Sequence, residues 1–99
     1  MFARLSTYQG SPVPEEGDLT ANWDAVLQQI QEASGFRGVF YLVDRASGRT
    51  ASLTLWEDEE TMQASEDSAA RLREKVAHRE GQRVVSVERF EVGFSHVEP

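Results

Sequence analysis

Four side chains carry the chemistry that this sequence offers: Trp23, Tyr41, Trp56 and His78. The indole and phenol rings supply stacking surface. An imidazole is the side chain whose ordinary pKa makes it a proton acceptor near neutral pH. Together they could build a pocket for a small aromatic ligand, with His78 as the candidate base. Each also has a structural reading, and that reading is the stronger one. Trp23 lies in the apolar stripe of a helix, Trp56 closes a strand, and Tyr41 sits in a core strand. His78 falls in a basic helix end, where it can act as a solvated C-terminal residue. His96 lies in the terminal segment and is given no role.

Other constellations are excluded. The chain has no cysteine, which removes disulfides, thiolate metal ligands and a Cys nucleophile. Two isolated histidines without a spaced carboxylate do not define a metal site, so no metal and no cofactor are expected. Arg45-Ala46-Ser47-Gly48-Arg49 joins two strands and is not a phosphate loop. The acidic groups at Asp18 and at Glu57 to Glu60 lie at helix starts, where capping explains them. Ten basic against 17 acidic residues give a net charge of −7. Nucleic acid and anionic membranes are poor partners for such a chain, because phosphate neutralisation needs Lys and Arg. No run approaches the roughly 18 apolar residues of a membrane span. Met1 to Ser6 lacks the apolar core of a secretory signal. A cytoplasmic location is expected.

The elements that must position these residues follow from periodicity. Phe2 to Tyr8 reads as a strand, followed by a Pro- and Gly-containing loop through Gly17. Leu19 to Ser34 reads as a helix with Asp18 as N-cap and Gly35 just past its end. Phe36 to Asp44 and Thr50 to Trp56 read as an antiparallel hairpin. The expected register sets Tyr41 opposite Leu53. It gathers Val39, Tyr41, Val43, Ala51, Leu53 and Leu55 on one face, and Phe40, Leu42, Ser52, Thr54 and Trp56 on the other. Asp58 to Arg79 reads as a helical stretch capped by Asp58, acidic first and basic last, with a bend or break near Ser65 to Ser68. Gly81 ends it. Gln82 to Phe94 reads as the last strand, and residues 95–99 as a flexible tail.

The order β-α-β-β-α-β is that of a ferredoxin-like α+β domain with a four-stranded antiparallel sheet, and 99 residues suit one such domain. Right-handed crossovers place both helices on one sheet face. Gly38 to Val43 and Val84 to Val87 are apolar on both sides of their strands, so the second face needs a cover. A second copy of the sheet is the simplest one, which predicts a homodimer.

Gly35-Phe36-Arg37-Gly38-Val39-Phe40 after a helix, with Leu53-Thr54-Leu55-Trp56-Glu57-Asp58-Glu59-Glu60 before one, resembles the antibiotic biosynthesis monooxygenase (ABM) superfamily of dimeric α/β barrels. The resemblance spans about residues 2–94. It implies a dimeric barrel. It also implies one of three roles: a cofactor-independent monooxygenase on an aromatic, polyketide-like substrate, a haem-degrading enzyme, or a small protein without catalysis. Haem-degrading members carry an Asn on the first strand, where Arg4 stands here. Their helix Trp and His fall near Ser65 and Lys75. All three positions differ, so haem degradation is disfavoured. Three readings remain: an ABM-like dimer binding a small apolar ligand, a cofactor-independent aromatic monooxygenase, and a structural or regulatory dimer without a ligand.

Overall fold

The computed structural model describes residues 1–12 and 23–99. The expected loop through Gly17, the Asp18 cap and the helix start at Leu19 lie partly or wholly outside the described residues. Within them, strands β1 (Phe2–Gln9), β2 (Phe36–Asp44), β3 (Arg49–Trp56) and β4 (Arg83–Glu91) form one antiparallel sheet. The helices are α1 (Trp23–Ile30), α2 (Glu59–Ala64) and α3 (Glu66–Arg79). The sheet order is β2-β3-β1-β4. Each connection that carries helices therefore skips one strand. The architecture is α+β, with α1 and α3 sharing one cavity on the same sheet face.

The second helical stretch breaks at Ser65, within the interval expected from sequence. The Ser65 hydroxyl donates to the Met62 carbonyl at 2.7 Å, and the Arg4 guanidinium donates to the same oxygen at 2.8 Å. Ser competes for backbone partners in this way and bends helices. Asp58 caps α2 as expected, accepting from the Thr61 N–H at 2.8 Å. Gly35, Gly48 and Gly81 all have positive φ. Two of them also lack room for a Cβ: at Gly35 it would collide with the Thr61 side chain, and at Gly48 with the backbone of Gly10 and Ser11.

Two expected helix and strand ends move inward. α1 stops at Ile30, four residues before Ser34. Its last i to i−4 bond is Gln31 N–H to Leu27 O, and the chain then tightens through Ala33 N–H to Ile30 O. β4 stops at Glu91, opposite Phe2 at the start of β1, with one further bond from the Val92 N–H to the Met1 carbonyl at 2.9 Å. Phe94 is consequently exposed.

The hairpin register differs from expectation by one residue. Tyr41 faces Ser52, and Leu53 faces Phe40. The connection is one residue shorter than expected: Asp44 pairs with Arg49, and the Gly48 N–H returns to the Asp44 carbonyl at 3.0 Å. Gly48, with φ +75, makes this tight closure available.

Directly opposed residues share a sheet face, so this shift reassigns every β3 side chain. Ser52 and Thr54 join Val39 and Tyr41 beneath the helices. Ala51, Leu53 and Leu55 join Phe40 and Leu42 on the opposite face, with Ala3, Leu5 and Phe90 continuing it across β1 and β4. The open face is the apolar one. Phe40, Leu42 and Phe90 are 44%, 50% and 48% exposed. The covered face is polar at its centre.

Candidate functional site

Why a cavity exists follows from that exchange of faces. On the helix side, the two central strands present Ser6 opposite Ser52 and Arg4 opposite Thr54. Small hydroxyl side chains under a helix pair leave space that Leu or Ile would fill. The larger residues, Tyr8 and Trp56, stand toward the two ends of the same rows and are both buried. α1 contributes Val26 and Ile30 from above, and α3 contributes Leu72, Arg73 and Val76. The cavity is partly open and measures about 150 Å³.

Of the residues expected at a ligand site, Trp23 and Trp56 line this cavity. Tyr41 lies behind Trp23, with ring centroids 4.6 Å apart and planes inclined by 33°. Trp56 is held from two sides. Phe36 meets it edge-on at 5.7 Å, and its indole N–H donates to Thr54 Oγ1 at 3.0 Å. The three aromatic residues therefore lie on the same sheet face as the cavity, two of them in its wall. His78 is exposed in the last turn of α3 and does not line the cavity.

The dominant polar group is one that the aromatic reading did not select. Arg4 is 3% exposed and lines the cavity, with its guanidinium carbon 5.5 Å from the centroid of Trp56. Its NH2 group donates to the Met62 carbonyl and to Ser65 Oγ, and approaches Glu66 Oε1 at 3.0 Å. Its Nε is buried and has no hydrogen-bond partner. Burial lowers the Arg4 pKa, opposed by Glu66 and reinforced by the nearby Arg73 and Arg89 cations. Glu66 also accepts two hydrogen bonds from Arg89, each 2.7 Å, in the forked geometry of a guanidinium–carboxylate pair. These bonds, first from Arg89 and then from Arg4, pull the Glu66 carboxyl down to about 2.

Further described residues join Gln29 and Thr54 in the polar lining. Arg73 Nε donates to Ser6 Oγ at 3.2 Å. Tyr8 and Ser52 share a hydrogen bond between their hydroxyls at 3.2 Å. Ser65 and Ser68 edge the cavity from the helix side. Among the described residues no Asp, Glu or His lines it, and no cluster of His, Cys, Asp and Glu could hold a metal ion. No described helix is long and apolar enough to cross a membrane.

One signal could have found Arg4 from sequence. A lone arginine in a strand of alternating polar residues, Arg4, Ser6 and Tyr8, marks a face that is buried yet polar. It is legible only once that face is known to lie under the helices.

No family model matches the chain. It is similar to two uncharacterized proteins of Mycobacterium tuberculosis strain H37Rv. It is 35% identical to Rv2558 over 78% of this chain and 33% of that protein. It is 31% identical to Rv2557 over 97% of this chain and 42% of that protein. The chain thus spans 33% to 42% of the length of these curated relatives.

Proposed function

We propose that this chain is an ABM-like, ferredoxin-fold protein that assembles as a dimeric α/β barrel and binds a small aromatic ligand in the cavity between its helices and its sheet. The observation that carries the reading is the cavity itself, with Trp23 and Trp56 in its wall and hydroxyls on its floor. Binding sites of small molecules have this makeup: mostly apolar, with a few convergent polar groups. Cavities of roughly 150 Å³ with apolar walls take up a single benzene ring. The volume here is of that order, which favours one ring over a fused polyketide.

The binding reading stands ahead of the monooxygenase reading because His78, the candidate base, lies outside the cavity. The dimer is supported by the open sheet face, where Phe40 and Leu42 on β2 and Phe90 on β4 are exposed and Leu53, Leu55, Ala3 and Leu5 lie between them. Contiguous exposed apolar surface of this kind serves association, and a second copy of the same face closes it by two-fold symmetry.

Titration with phenol tests the ligand site. The account expects a saturable change in the emission of Trp23 and Trp56. A strictly linear, collisional response up to millimolar phenol would reject the site.

A further inference from the structure

We propose that the cavity is selective for an anion, a single-ring aromatic carboxylate, with Arg4 and Arg73 as the partners of its carboxylate. The proposal rests on reading the cavity as a ligand site and adds the charge of what enters it.

The case begins with Arg4. Its side chain is 97% buried by the 3% exposure of the residue, and its Nε donor is left without an acceptor. A buried, charged donor without a partner is costly, and native structures rarely leave one unexplained. Arg4 lines the cavity, so an anion placed there lies within reach of its charge. Arg73 approaches from α3 across the same space. Its recorded partner is the neutral hydroxyl of Ser6, and among the described residues it forms no ion pair.

Charge counting points the same way. Arg73 and Arg89 both lie close enough to Arg4 to oppose its charge, and the one carboxylate paired with Arg4 and Arg89, Glu66, does not line the cavity. A chain of net charge −7 thus carries a cavity whose charged lining, among the described residues, consists of Arg4 and Arg73. Guanidinium groups recognise carboxylates through paired, charge-assisted hydrogen bonds. Val26, Ile30, Leu72 and Val76 leave the rest of the wall apolar. That suits a ring and disfavours a small, strongly hydrated inorganic anion.

The test is an equilibrium titration at pH 7, read by tryptophan emission and by calorimetry, with benzoate, benzamide and toluene. Benzoate and benzamide have nearly the same shape and differ in charge. The expected result is saturable benzoate binding, with benzamide weaker by at least about tenfold, the scale of one charge-assisted hydrogen bond. Arg73→Gln is expected to weaken benzoate by about tenfold and to leave toluene unchanged. Arg4→Met, checked for folding by circular dichroism, is expected to do the same. Equal binding of benzoate and benzamide, or an Arg73→Gln protein that binds benzoate like the parent, would overturn the carboxylate assignment while the ring site stands. Failure of all three probes to bind would overturn both.

Discussion

Arg4 and Glu66 meet at 3.0 Å although 62 positions separate them in the chain, and the contact joins the central strand to the first turn of α3. Glu66 simultaneously holds Arg89, which is the direct cross-strand neighbour of Arg4. One carboxylate thereby holds two adjacent like charges that would otherwise repel across the sheet.

That geometry makes Glu66 and Arg4 unequal. Glu66→Gln leaves two neighbouring guanidiniums without their anion, one of them buried. Breaking a buried pair from one side typically costs about 3–5 kcal/mol, and the partial exposure of Glu66 places this case toward the lower figure. Arg4→Met removes a desolvated charge and fills its volume, while Glu66 keeps Arg89. The account expects Arg4→Met to cost clearly less than Glu66→Gln in chemical denaturation. The reverse order would contradict it.

The same carboxylate sets the acid limb of stability. Its folded pKa of about 2 lies below the ordinary value of 4.5. The contribution is therefore complete above about pH 4.5 and is lost as pH falls toward 2. Solvent screening on the exposed side of Glu66 keeps the effect to roughly 1–2 kcal/mol. The stability gap between the parent and Glu66→Gln should narrow by that amount as pH falls from 4.5 toward 2. A constant gap across that window would show that Glu66 is not the titrating group.

Trp56 is 3% exposed and touches Phe36, Thr54 and Arg4. Trp56→Ala should lose about 3–5 kcal/mol, as for deleting a large buried aromatic. A variant that melts with the parent would place the indole outside the core.

Gly35 has φ +79 and no room for a Cβ beside Thr61. Gly35→Ala should lose at least about 1 kcal/mol in thermal or denaturant unfolding. A Gly35→Ala protein that unfolds with the parent would contradict this.

The proposed dimer predicts that Phe40→Glu with Leu42→Glu converts a two-chain species into a folded monomer in light scattering. A parent protein that is monomeric at micromolar concentration would remove the dimer from the account.

Strands, helices and their order were legible from periodicity, because alternation and the 3.6 repeat are local properties. The Asp58 cap and the break at Ser65 were legible for the same reason: a cap and a competing hydroxyl act within one turn. The hairpin register was not. Placing Tyr41 opposite Leu53 collects apolar residues beneath the helices, which is the economical choice for an isolated domain. The loop closed by Gly48 is one residue shorter and selects the opposite face. The site suffered accordingly. Trp23 and Trp56 could be chosen by type, whereas Arg4, Ser6, Ser52 and Arg73 become a site only when β1, β3 and α3 bring them together. Pairings of that range are set by tertiary packing and leave no local periodicity.

The most direct test of the account is amide chemical-shift mapping of the labelled protein on addition of benzoate. The cavity predicts shifts concentrated at Ser6, Tyr8, Ser52, Thr54, Ser68 and Leu72, with the open-face residues Phe40 and Leu42 unmoved. Shifts centred on Phe40 and Leu42 with the cavity residues silent would contradict it.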